Sequence, residues 1–195
     1  MRKLVVDTCS LIAFLRYYRF DSANSKAVHT KLTKFLVDKI LSDEIMVIDK
    51  VFAELQNRTP DIITFKTSIK NKIIDTKALV GQVPAFSAKY YLPAKEQILG
   101  NDAIKINLAR QQFEESADPY LVLYCKHLKS KSVQVALITE ESKKPDHKLH
   151  EKIPTMCATE VIKCKDIPYA LFDHYKDELN FVLNIIPPVP AQPKF

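Results

Sequence analysis

The apolar positions of this chain fall into short runs separated by longer stretches with helical spacing. Leu4-Val5-Val6 is a short buried-strand signal that stops at Asp7, after which Leu11, Phe14, Leu15 and Tyr18 recur at helical intervals. A second helix is predicted over Lys26–Leu41, with Val28, Leu32, Phe35, Leu36 and Ile40 on one face. Ile45–Ile48 reads as another strand, and Asp49 as the cap of a helix carrying Val51, Phe52 and Leu55. Thr59-Pro60 interrupts, and a helical pattern resumes over Asp61–Val80. Gly81–Pro93 has a glycine, two prolines and no clear period, so it reads as a loop. Lys95–Glu115 reads as helical, with Gly100-Asn101 as the place for it to break. Asp118-Pro119 signals a helix start, an acidic cap before proline, and Val133–Ile138 is the clearest strand. A polar, basic loop over Ser142–Lys152, a short helix from Pro154, a strand over Val161–Lys165 and a helix over Pro168–Leu179 complete the pattern.

Strands alternating with helices predict an α/β fold with a parallel sheet flanked by helices on both sides. At 195 residues the chain fits one domain. It is expected over residues 1–182, followed by a proline-rich, extended or disordered tail over 183–195. In such sheets ligands bind beyond the carboxyl ends of the strands, so the residues at those ends carry the functional question.

Composition narrows the answer. The chain has only two glycines, Gly81 and Gly100, so neither G-x-G-x-x-G nor a Walker loop can be written, and the Gly-rich phosphate cradles are excluded, which argues against a nucleotide cofactor held by backbone amides. A net charge of +6 favours anionic partners. No secretory h-region forms, because Asp7 and Arg16 end the first two apolar runs, and nothing approaches a membrane span. Cys9, Cys125, Cys157 and Cys164 form no C-x-x-C pair and read as buried free thiols of a cytoplasmic protein.

Acids stand at four places just past strands or at helix starts near one edge: Asp7, Glu54, Asp118 and the pair Glu140-Glu141. Acids at helix starts commonly cap them and complement the dipole. Gathered together, four carboxylates would raise one another's pKa unless a cation joined them. Hard oxygen ligands of this kind suit Mg²⁺ or Mn²⁺, and two such ions could clamp a scissile phosphodiester.

At these residues the sequence resembles the PIN-domain nucleases, whose best-known members are the VapC-like toxins of toxin–antitoxin pairs. Leu4-Val5-Val6-Asp7-Thr8-Cys9-Ser10 resembles the first motif, with Asp7 as metal-binding acid and Ser10 as its polar support. Ile48–Leu55 resembles the second, with Glu54 in the acidic position. Ala117-Asp118-Pro119 resembles the third. Leu137-Ile138-Thr139-Glu140-Glu141 resembles the fourth, with Glu141 in a slot that is usually Asp and Glu140 as a rival. The resemblance spans residues 4–141, and the rest looks like a less-studied branch of the superfamily. It implies a three-layer fold with four to five parallel strands. It also implies a Mg²⁺- or Mn²⁺-dependent endoribonuclease that leaves 5′-phosphate and 3′-hydroxyl ends. Asp7, Glu54, Asp118 and Glu141 would be catalytic and metal-binding, with Ser10, Thr139 and Glu140 behind them. A cognate antitoxin and a homodimer are the implied protein partners, with no membrane.

Lys143, Lys144 and Lys148 follow the fourth motif and, with Arg16 and Arg19, are candidates for holding RNA phosphates; the alternative is a solvated loop. His147, His150, Cys157 and Cys164 match no common zinc spacing. Tyr17-Tyr18 and Tyr90-Tyr91 could stack on bases or simply pack. The competing reading is a PIN-like scaffold that binds RNA or protein without cutting. A phosphoryl-transferring aspartate enzyme is more distant, because its usual second Asp is Cys9 here.

Overall fold

The computed structural model describes residues 2–16, 23–56, 59–142 and 148–183, with the backbone alone described at 23–25, 172 and 180–183. Tyr17, Tyr18, Arg19, Lys143, Lys144, His147 and the tail after 183 lie outside the described residues.

Four strands, β1 (Lys3–Val6), β2 (Ile45–Met46), β3 (Val135–Ile138) and β4 (Lys163–Lys165), form one all-parallel sheet in the order β2-β1-β3-β4. The central pair is the longest, with Lys3 opposite Val135 and Val6 opposite Ile138. Leu4, Val5, Ala136, Leu137 and Ile138 are all essentially inaccessible, so both faces of the sheet must be covered. Helices α1 (Thr8–Arg16) and α2 (Ala23–Leu41) supply Leu11, Phe14, Phe35 and Leu36 against the face of Leu4, Val6 and Ile138. Helix α7 (Ala117–Ser130) packs on β1 and β3 and is buried along most of its length. This is the expected α/β sheet flanked by helices.

Several elements differ from the pattern. Asp49 is the first residue of α3 (Asp49–Glu54) rather than its cap. The cap position is Ile48, and the Asp49 carboxylate instead accepts from Lys50 N and the Thr76 hydroxyl. The helix expected over Asp61–Val80 is broken into α4 (Pro60–Ile69), a 3₁₀ turn at Lys70–Lys72 and another at Lys77–Gln82. The break comes where Ile74 pairs beside the sheet, its N donating to Val47 O and its O accepting from Asp49 N.

The expected loop at Gly81–Pro93 contains α5 (Val83–Tyr90). Pro84 reads as a breaker, but it lies in the first turn, where the missing N–H has no intrahelical partner to lose. The break at Gly100 is observed: its φ of +68° ends a 3₁₀ segment, and Asp102 then caps α6 (Ala103–Glu115) through Ile104 N and Lys105 N. The end of the chain is also divided, with a π-helical segment at Tyr169–His174 preceding α9 (Lys176–Leu183). Helix α8 (Ile153–Thr159) connects the segment after β3 to β4.

Candidate functional site

The central strands end side by side. Asp7 N donates to Ile138 O at 3.0 Å, extending the β1–β3 ladder by one step, so Asp7 stands beside Thr139. The Asp7 carboxylate is buried and fully engaged. Oδ1 accepts from Thr8 N at 2.6 Å, and Oδ2 accepts from Cys9 Sγ at 2.6 Å and from Thr139 Oγ1 at 3.0 Å. Burial pushes its pKa up against these donors, and Glu54 adds to the rise. Cys9 is held protonated, pushed up to about 11 by burial and by the neighbouring Asp7 charge, so it serves as a donor.

Glu54 reaches the same end of the sheet from the last residue of α3. Its Oε2 accepts from Thr8 Oγ1 at 2.5 Å, and its Oε1 accepts from Ala117 N at 2.8 Å, the first residue of α7. Helix α7 begins at Ala117 with Ser116 in the cap position, and Ser116 makes no side-chain cap bond. Asp118 is therefore not the cap, contrary to expectation; Glu54 does that work from another element. The Asp118 carboxyl is released toward the acids, and its pKa is pushed up to about 7. Burial is the main cause; Lys148 opposes it, while Asp7, Glu141 and Glu54 all add to it. The four acids thus share one electrostatic environment.

Glu141 N donates to Thr139 Oγ1 at 3.1 Å, and its Oε2 accepts from Ile153 N at 2.9 Å, the first residue of α8. Lys148 lies 3.1 Å from Glu141 Oε1 and 3.8 Å from Asp118 Oδ2. Glu140 turns away: its Oε1 accepts from Ile167 N at 2.8 Å. Between the two candidates, Glu141 faces the acids and Glu140 ties down the chain after β4.

Other expectations change. Ser10 is buried, but its hydroxyl donates to Ile138 O at 3.3 Å and not to Asp7; Thr8 and Cys9 hold the carboxylates instead. The signal for them was local, two polar residues directly after a strand-ending acid. Thr139 does donate to Asp7, as expected. Lys148, proposed for phosphate, is engaged by Asp118 and Glu141. Arg16 is exposed at the end of α1. From Leu149 onward the basic loop is packed against the fold. Leu149 O accepts from Leu92 N, Glu151 N donates to Tyr90 O, and His150 is buried, hydrogen-bonded to Ser87 at 3.2 Å and stacked on Phe113 at 3.9 Å. Of the thiols, Cys125 and Cys157 are buried and Cys164 partly so; Cys9 is exposed as a residue, although its sulfur turns in to Asp7 Oδ2.

The donor set suits a divalent cation in kind, since it offers carboxylate oxygens and an excess of negative charge with one ammonium among them. Among the described residues, no three His, Cys, Asp or Glu side chains converge closely enough to hold an ion as they stand. Each acid except Asp118 is anchored by at least two donors, with Lys148 between Asp118 and Glu141. Residues Asp7, Glu54, Asp118 and Glu141 are the ones that would hold a cation.

Among the described residues no helix is long and apolar enough to cross a membrane. No curated protein and no solved structure matches the chain. Residues 4–177 match one family along nearly the whole chain, a span that includes all four acids and all of β4. The chain belongs to the family described as Domain of unknown function (DUF4411).

Proposed function

We propose that this chain is a metal-dependent endoribonuclease of PIN type that hydrolyses RNA phosphodiester bonds with Mg²⁺ or Mn²⁺. The observation that carries the reading is that Asp7, Glu54 and Glu141, from three separate segments, lie within electrostatic reach of Asp118 at the carboxyl end of one parallel sheet. When bound, a divalent ion supplies charge stabilisation to the phosphodiester and an activated water. The protein's own residues do the rest. Asp7 is oriented by Thr139, Cys9 and Thr8 N; Glu54 is oriented by Thr8 and Ala117 N; Glu141 is fixed by Ile153 N. Asp118, with its raised pKa, gains most from a cation that restores its charge.

The test is cleavage of RNA by the purified chain with Mg²⁺ or Mn²⁺. Asp7→Asn should abolish it, and Thr139→Val should lower it about 10–100-fold by freeing the carboxylate. Glu141→Gln should abolish cutting while Glu140→Gln retains it; the reverse pattern would remove Glu141 from the set. As the toxin of a toxin–antitoxin pair acting in the cytoplasm, the wild type should slow host growth on expression, and Asp7→Asn should not. A cognate antitoxin, and a second copy of the chain, are the protein partners of this reading.

The lodging of Lys148 between Asp118 and Glu141 favours a second reading, a non-catalytic scaffold that binds RNA or protein. RNA binding without metal-dependent cutting, in both wild type and Lys148→Ala, would select it.

A further inference from the structure

Some of the positive charge gathers at one edge of the sheet. Strand β4 is an edge of the sheet, and Lys163 and Lys165, two residues apart and both exposed, project from the same side of it. Both ammonium groups lie against the ring of Tyr169, at 4.5 and 5.1 Å from its centroid. The Tyr169 hydroxyl accepts from Lys163 Nζ at 2.8 Å and from Arg2 Nη1 at 2.6 Å. Three cations thus gather around one phenol. Among the described residues no carboxylate lies within 4 Å of any of them; Asp166, the nearest in sequence, accepts from Tyr169 N instead. Like charges held this close repel, and an anion lying across all three would relieve them.

Two cavities flank this cluster. One, of about 640 Å³, is lined by Lys165 and Tyr169, by Thr139 and Glu141 of the acidic site, and by Asp166 and Asp173. The other, of about 340 Å³, is lined by Arg2, Lys163 and Lys129 at the opposite end of β4. The first lies within the size range of small-ligand sites, roughly 300–1,000 Å³. Together they make a path from Glu141 past Lys165, Tyr169 and Lys163 to Arg2 and Lys129. Lys163 and Lys165 are about 7 Å apart along the strand, comparable with the step between successive phosphates of an extended single strand.

We propose that this edge binds the backbone of single-stranded RNA, with successive phosphates on Lys165, Lys163 and Arg2, and leads the strand into the acidic site. The proposal rests on the RNA reading above for its ligand, but not on cutting. Binding is therefore measured on the Asp7→Asn chain in EDTA, with a labelled oligouridylate of about ten nucleotides. The double variant Lys163→Gln/Lys165→Gln should bind at least tenfold more weakly, with the slope of log affinity against log salt reduced by about 1.4. Lys163→Arg/Lys165→Arg should restore binding. Lys31→Gln/Lys34→Gln on α2 changes net charge equally and should bind as the parent does.

Equal losses in the two glutamine pairs would reduce the effect to net charge and overturn the proposal. So would competition by polyglutamate as strong as by oligouridylate, which would point to an acidic protein partner. A urea midpoint checks folding. If the double variant unfolds, Lys165→Gln alone, which removes only a ring contact, should still lower the salt slope by about 0.7. Normal binding in these variants with RNA cutting intact overturns the track and leaves the nuclease standing. Lost binding with no cutting by wild type leaves the track standing and overturns the nuclease.

Discussion

Within three residues, the chain before α8 touches two buried polar sites of opposite character. Lys148 reaches into the acids at the sheet end, and His150 turns into a pocket formed by Ser87, Phe113 and Tyr91. In the second site burial and the nearby charge both favour a neutral ring. Phe113 stacks parallel to it, Ser87 hydrogen-bonds it, and Arg110 nearby disfavours its protonation. Burial is the main reason its pKa falls to about 4. In the first site burial again dominates, and three further carboxylates add to it, with Lys148 as the one neighbour that opposes them. Burial alone therefore says little about role. A buried titratable group whose neighbours match its preferred form stabilises the fold, whereas one surrounded by its own charge is maintained for something that binds there.

This contrast can be broken in solution. The largest effect is expected from Asp118→Asn. A carboxyl whose pKa is higher folded than unfolded costs stability above its folded pKa, and the cost disappears as pH falls from about 7 towards its unfolded value. The substitution should therefore stabilise the metal-free chain at pH 8 by up to about 4 kcal/mol, read from urea unfolding, and by little at pH 4. Magnesium should raise the melting temperature of wild type and not of this variant. A destabilised Asp118→Asn would place Asp118 with the structural groups.

His150 should respond in the opposite sense. Its folded pKa lies below its unfolded value, so its contribution is complete above about pH 6.5 and is lost as pH falls toward 4, by about 3 kcal/mol. Acidification thus helps one site and harms the other over the same range, and only the variants separate them. His150→Gln should flatten the loss below pH 6.5, seen as a parallel pair of urea titrations at pH 7 and pH 4.5. Next in size, Ser87→Ala removes the partner of a buried ring nitrogen and should cost about 1–3 kcal/mol without changing RNA cleavage. The smallest effect belongs to Lys148→Ala. Its side chain is 56% exposed, so its ion pairs should be worth about 0–1 kcal/mol, and added Mg²⁺ should erase the difference.

The strand ends were legible because each central strand is an uninterrupted apolar run stopped by a polar residue, and a parallel sheet places all such stops on one side. Asp7 and Thr139 follow from that rule alone. The anchoring of the acids was not legible. Ser10 has the right chemistry and spacing but lies under the sheet against Ile138 O, while Cys9, which reads as an apolar thiol, points at Asp7. Asp118 before a proline looks like a cap because both residues favour helix starts; the actual start, two residues earlier, depends on Glu54, which is 63 residues distant in sequence from Ala117. His150 sits in a strongly polar stretch, and its pocket is made by α5 and α6, the first of which was concealed by Pro84. Local chemistry marked where the site is. Contacts between distant segments decided which side chains complete it.

The register of β1 with β3 also has a temporal consequence. Thr139 meets Asp7 across 132 residues of sequence, and β1 forms its longer ladder only with β3. A ribosome releases Asp7 well before Thr139, yet β1 must wait, paired at most with the two residues of β2, until β3 has been made. Non-local parallel pairing of this kind is slow to form. The nascent chain can present helices α1 and α2 long before it can gather four carboxylates, and the acid cluster, with any activity it confers, arises only once synthesis has passed β3.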